Sequence, residues 1–133
     1  MKEEIGKRPI REFRDLVVYK RLYQLMILVM QEITPRLPVE ERYDLRSQMN
    51  RACKAPPALL AEGFAKRYQP LAWKKYINDS IGESYEMINH LSVCIDVYAK
   101  YVNREMCLDA IEKYTIACKQ LYRLREGWKN FHR

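Results

Sequence analysis

Hydrophobic residues recur along most of this chain at alternating spacings of three and four positions, a repeat typical of helices that pack lengthwise against other helices. The first series begins after Asp15, the predicted N-cap of the first helix, and ends where Pro35 and Pro38 stop the helix. Its members are Leu16, Tyr19, Tyr23, Met26, Met30, Ile33 and Leu37. We expect this series to face the interior of a helical bundle.

A second helix is predicted from about Val39 to Arg67, with Leu45, Met49 and Ala52 facing inward. It contains Pro56 and Pro57, which lack backbone N–H groups and crowd the preceding turn. We therefore expect the second helix to be kinked at Pro56-Pro57. The small residues around this point favour a close approach of neighbouring backbones.

The third and fourth helices are predicted from the same repeat. Pro70 suits the first position of the third helix, and Asn103 is a candidate N-cap for the fourth. The inward positions are Ile77, Ile81, Ser84, Ile88, Leu91, Ile95, Tyr98 and Val102 in the third helix, and Cys107, Ile111, Tyr114, Cys118, Leu121, Leu124, Trp128 and Phe131 in the fourth.

No strand pattern competes with these four helices, and their connections are short. The pattern therefore predicts an all-α fold, an antiparallel up-down-up-down four-helix bundle. With 133 residues the chain is long enough for one domain. We expect that domain to cover residues 15–133, after a basic N-terminal arm at residues 1–14.

The first helix carries a second apolar stripe beside the first series, containing Leu22, Leu25 and Val29 together with Val18. A helix packed on one bundle interior needs an apolar stripe only about 100° wide. Because the first helix exceeds that width, we expect Leu22, Leu25 and Val29 to contact another copy of the chain.

Charge is unevenly distributed along the chain, whose formal net charge is +7. Residues 66–75, residues 119–133 and the arm are basic, whereas residues 76–118 carry an excess of acids. In an up-down bundle the three basic segments share one end, so the fold predicts a positive pole. Such a pole favours acidic partners, nucleic acid first and an anionic membrane surface second. The candidate nucleic-acid-binding residues are Lys66, Arg67, Lys74, Lys75, Arg123 and Lys129.

Aromatic residues lie among these charges, and they allow two interpretations. They could stack on the bases of a single strand while basic side chains contact phosphates. Alternatively, they seal the end of the core and the charges only keep that end soluble. The residues concerned are Tyr68, Trp73, Tyr76, Trp128 and Phe131.

Catalytic and metal-binding patterns are weak. The two histidines are His90 and His132, and the Glu-x-x-His motif of carboxylate-bridged metal pairs fails because Asn89 stands where histidine is needed after Glu86. His90 and Glu86 are expected on a solvated face. Glu62 is expected to pair with a nearby arginine or with the backbone. We predict no enzymatic activity, no metal and no cofactor; a small-molecule or metal-binding bundle is the alternative that elemental analysis would test.

The four cysteines form no CxxC pair and are expected to be free, buried thiols, which favours a reducing compartment. No apolar run approaches the roughly 20 residues needed to span a bilayer. The amino terminus also lacks a signal-peptide pattern. We therefore expect a cytoplasmic protein that does not bind membranes.

Several short blocks resemble one family. They are Phe13-Arg14-Asp15-Leu16, Arg42-Tyr43-Asp44-Leu45, Ser47-Gln48, Arg51-Ala52, Pro57 and Ala61-Glu62-Gly63-Phe64. Over residues 13–100 the chain resembles the bacterial 23S rRNA intervening-sequence proteins. The resemblance implies a closed four-helix bundle, a ring-shaped homopentamer and no assigned enzymatic activity. The chain departs from the family at Ala55, Ala58 and Leu59, where polar residues are usual.

The accessory proteins of diversity-generating retroelements look like relatives with the same bundle, and they bind a reverse transcriptase and nucleic acid. From the residues and this resemblance, we expect a non-enzymatic, oligomeric protein that binds RNA or DNA through its basic pole. The alternative is a protein-interaction subunit, for example an accessory factor of a reverse transcriptase.

Overall fold

The computed structural model describes residues 9–131, with side chains as far as Trp128. Residues 1–8 of the predicted arm, and the last two residues, lie outside the described part. Four long helices dominate the fold: α1 (Val17–Leu28), α2 (Leu45–Phe64), α3 (Pro70–Val97) and α4 (Arg104–Phe131). Residues 9–131 contain no strand, and the helices pack against one another. The prediction of an all-α four-helix bundle is confirmed.

The start of α1 differs from the prediction. Asp15 ends a short 3-10 turn, Phe13–Asp15, and its Oδ2 accepts hydrogen bonds from the backbone N–H groups of Arg11 at 2.9 Å and Glu12 at 3.2 Å. Because the carboxylate is used by the preceding turn, Leu16 takes the N-cap position of α1. After Leu28 the chain continues as a π-helical turn, Val29–Ile33, and a 3-10 turn that contains Pro35.

The second helix begins later than predicted, at Leu45, because residues Val39–Glu41 form a separate 3-10 turn. Pro56 and Pro57 are buried inside an uninterrupted α2. The Oγ of Ser80 on α3 donates a hydrogen bond to the Pro56 carbonyl at 3.1 Å, so α3 contacts α2 at the prolines. The kink itself stays a prediction.

Both helix-start predictions for the second half of the chain are confirmed. Pro70 is the first residue of α3, where its missing N–H costs nothing. Asn103 caps α4, because its Oδ1 accepts a hydrogen bond from the backbone N–H of Met106 at 3.0 Å.

Contacts between α2 and α3 run in opposite order along the two helices. Tyr76 near the start of α3 bonds to Glu62 near the end of α2. Conversely, Cys94 near the end of α3 lies 3.6 Å, sulfur to sulfur, from Met49 near the start of α2. The up-down-up-down order of the whole bundle remains a prediction.

The inward face of α1 and the turns after it is only partly the predicted one: Leu16, Ile33 and Leu37 of the first series are buried as expected. Leu22, Leu25 and Val29 are buried within a single chain and are therefore not an exposed interface. The middle of the first series is only partly covered, with Tyr23 exposed and with Tyr19, Met26 and Met30 half-buried. Aliphatic side chains bury without loss of hydrogen bonds, whereas a tyrosine hydroxyl needs a partner or water. This difference explains why the stripe without tyrosines faces the core.

Candidate nucleic-acid interface

Three aromatic rings join one end of the bundle. Phe64 from the end of α2, Trp73 from the start of α3 and Trp128 from the end of α4 have pairwise centroid distances of 5.4–6.1 Å, all edge-to-face. The tryptophans are only 2% and 6% exposed. They seal the core, and the stacking interpretation is wrong for them. Their contact also brings the basic segments of α2, α3 and α4 to the same end.

Two of the candidate lysines lie near one tyrosine ring. The Nζ atoms of Lys66 and Lys75 lie 5.3 and 5.9 Å from the centroid of Tyr76. The Tyr76 hydroxyl accepts a hydrogen bond from Lys66 at 3.3 Å and donates one to Glu62 at 2.8 Å. Glu62 thus bonds to a tyrosine instead of the expected arginine or backbone partner.

Lys75 also bonds to Asp79 at 2.8 Å, and this hydrogen bond raises the pKa of the lysine above its usual value. The carboxylate of Asp79 offsets part of the field of the lysine. The pair is exposed, so its own contribution to stability is small.

Arg67 is half-buried against two aromatic rings. Its guanidinium carbon lies 4.1 Å from the centroid of Phe64 and 4.6 Å from that of Tyr68, and Nη1 donates to the Phe64 carbonyl at 2.9 Å. A cation at a helix C-terminus is favourable because carbonyl groups there lack intrahelical partners. Arg67 therefore stabilises the end of α2 in addition to adding positive charge.

The remaining candidates differ in position. Lys74 is exposed in the first two turns of α3, beside Lys75. Arg123 is exposed on α4, five residues before Trp128, and it lines a groove between α3 and α4. Lys129 lies on α4, and its side chain is outside the described residues. We call Lys66, Arg67, Lys74 and Lys75 the basic end.

Sequence reasoning missed Arg125 and two exposed tyrosines, Tyr85 and Tyr122, which line the same groove as Arg123. Tyr85 lies in the acidic segment and outside the apolar series, so neither the segment charges nor the periodicity indicated a functional residue there. The pairing of α3 with α4 was needed to place these residues together.

The cysteines and His90 are the remaining candidates for polar chemistry. Cys53, Cys94, Cys107 and Cys118 are free and buried, as predicted. His90 was expected on a solvated face, but it is buried, and its Nε2 lies 3.2 Å from Glu86 Oε2. Within the described residues, no group of three or more His, Cys, Asp or Glu side chains is arranged to hold a metal ion.

The described helices define a small all-α protein with a four-helix fold and a basic end formed by the α2–α3 turn and the start of α3. The sequence model of the family described as 23S rRNA-intervening sequence protein matches residues 14–123, so the chain belongs to that family. The match extends past residue 100 into most of α4. Among curated proteins, no sequence matches the chain. None of the described helices combines the length and hydropathy required to cross a membrane.

Proposed function

We propose that this protein is a non-enzymatic nucleic-acid-binding protein that contacts RNA or DNA through its basic end. The observation that carries the proposal is the pair of lysine ammonium groups, Lys66 and Lys75, at 5.3 and 5.9 Å from the centroid of Tyr76, with exposed Lys74 directly before Lys75. Phosphate groups attract such a cluster, and binding releases their counterions. The family's description names an rRNA element and no catalytic activity, which agrees with this role.

The test is binding of a fluorescein-labelled RNA, followed by fluorescence anisotropy at several salt concentrations. We expect affinity to fall steeply with salt, and the double variant Lys66→Glu/Lys74→Glu to bind about tenfold more weakly or worse. The matched control is Lys100→Glu/Arg104→Glu, which changes the same charge at exposed positions around the α3–α4 turn. Equal losses in both variants would show that only net charge matters and would contradict a site at the basic end.

We also propose that copies of the chain associate through the exposed side of α1, where Tyr19, Tyr23, Met26 and Met30 form a partly covered apolar stripe. A ring, expected to be a pentamer from the family resemblance, would place several basic ends together and multiply a weak attraction. Light scattering after gel filtration tests this. Tyr23→Glu/Met26→Glu should reduce the mass to that of one 16.0 kDa chain, whereas Tyr43→Glu should not. A monomeric unmodified protein would contradict the proposal.

A role as the accessory subunit of a reverse transcriptase predicts a different result from the same assay. A polymerase would be captured from the host, and free nucleic acid would not bind even at low salt. The four free cysteines support a reducing compartment such as the cytoplasm for either role.

A further inference from the structure

A groove of about 520 Å³ lies along the junction of α3 and α4 and combines aromatic with basic side chains. Its lining includes Ile81 and Cys118 together with Tyr85 and Tyr122. These tyrosines are 59% and 54% exposed. Rings that are this accessible can stack on a flat ligand, which the buried tryptophans of the basic end cannot do.

The two tyrosines lie at different levels of the groove. Arg125 donates a hydrogen bond to the side-chain oxygen of Asn78, which joins α4 to α3 near one end. Tyr122 is three residues from Arg125, and Tyr85 is seven residues from Asn78. At about 1.5 Å per residue, the backbones of the two tyrosines differ in level by roughly 6 Å along the groove. Their rings therefore start from different levels and can serve as separate platforms for two rings of a ligand.

The charged residues that line the groove are all basic: Lys119, Arg123 and Arg125. The guanidinium carbon of Arg125 lies 4.7 Å from the centroid of Tyr122, so a cation and an aromatic face are presented together. By contrast, the groove between α2 and α3 includes Glu83 and Glu86. The larger groove between α1 and α4 likewise includes acids, Glu105 and Asp109.

Lys74, a residue of the basic end, lies on the same side of α3 as this groove. It precedes Ile81 by seven residues, which is two helical turns on the same side of α3. A negatively charged chain that leaves the groove past Asn78 therefore meets Lys74 next.

We propose that the groove binds a single strand of RNA or DNA, with bases stacked on Tyr85 and Tyr122 and phosphates held by Lys119 and Arg123. A duplex hides its base faces in its own stack, whereas an unpaired strand exposes them. The charge and the aromatic surface thus fit a single strand better than a duplex. This inference rests on the proposed function, because it names the form of nucleic acid that reaches the basic end.

The test compares a fluorescein-labelled oligouridine strand with a labelled hairpin duplex of equal charge, each titrated with the full chain. Tyr85→Ala and Tyr122→Ala should each weaken binding of the strand about tenfold, the scale of one lost base–aromatic stack. Binding of the hairpin should change less than twofold. The Tyr→Phe variants should keep the affinity for the strand, because the ring remains. Tyr43→Ala, which removes an exposed ring from the groove between α2 and α3, is the matched control.

The possible outcomes separate the two proposals. If the strand binds the Tyr→Ala variants as well as the unmodified chain but no longer binds Lys66→Glu/Lys74→Glu, the groove is not the binding site. The proposal of a site at the basic end is then supported. If both probes weaken equally on tyrosine removal, stacking on an unpaired strand is refuted. If neither probe binds the unmodified chain at low salt, the function proposed above fails as well. Circular dichroism of each variant checks that the helices are retained.

Discussion

Gly63 offers the sharpest test of how α2 and α3 pack. A Cβ added to this buried glycine would lie 2.5 Å from Cβ of Tyr76, 2.9 Å from its Cγ and 3.0 Å from Cε3 of Trp73. Ordinary contacts between carbon atoms are about 3.5–4.0 Å. Because Cβ of Tyr76 is attached directly to the α3 backbone, no rotamer change removes the clash. The two helices would have to separate by about 1 Å to restore ordinary contact.

We expect Gly63→Ala to destabilise the protein in spite of the better helix propensity of alanine. The propensity gain is about 1 kcal/mol, and overpacking a tight contact costs about 1–3 kcal/mol. The net loss is then up to about 2 kcal/mol, which should lower the Tm by as much as roughly 8 °C for a chain of this size. Urea and thermal unfolding, followed by circular dichroism at one protein concentration, measure both quantities.

Gly82→Ala is the matched control, because Gly82 is exposed within α3 and an added Cβ has no neighbouring atom within 4 Å. This change should stabilise the protein by about 0.5–1 kcal/mol through propensity alone. If both alanine variants are stabilised to the same extent, α2 and α3 are not as close at Gly63 as the structure has them, and the packing argument fails.

Three further predictions concern single groups. Tyr114→Phe should leave stability unchanged or raise it by about 1 kcal/mol in urea unfolding, because the buried hydroxyl has no hydrogen-bond partner among the described residues; a large loss would reveal a partner. Burial raises the pKa of Cys94 to about 12 and that of Cys53 to about 11, from the usual 9.0. The free energy of unfolding should not depend on these thiols below pH 9. It should fall as the pH rises from 9 through 11 to 12, because the unfolded chain releases these protons before the folded one does. Native thiols should also react much more slowly with Ellman's reagent at pH 8 than thiols in urea, and equal rates would contradict their burial. Asn103→Ala should cost about 1 kcal/mol by removing the α4 cap, while Asn103→Ser should restore most of it.

The sequence determined which segments are helical wherever a local signal was strong. Pro70 and Asn103 mark the starts of α3 and α4 because each acts on the backbone of its own first turn. Asp15 failed as a cap because its carboxylate had a second use, in the 3-10 turn that precedes α1. A local signal is reliable when the side chain has only one set of backbone groups to bond. It is ambiguous when two neighbouring turns compete for the same side chain.

The interface residues show what only the tertiary structure decided. Both stripes of α1 have helical periodicity, so the sequence showed an excess of apolar surface but not which stripe would be buried. Packing against the rest of the bundle selected Leu22, Leu25 and Val29 for the core and left Tyr23 exposed. Likewise, the charge runs indicated a basic end, but the groove with Tyr85 and Tyr122 exists only where α3 meets α4. Periodicity is a property of a single helix and shows which of its residues share a side. Which side is buried, and where two helices form a groove, depends on how the helices pack against each other.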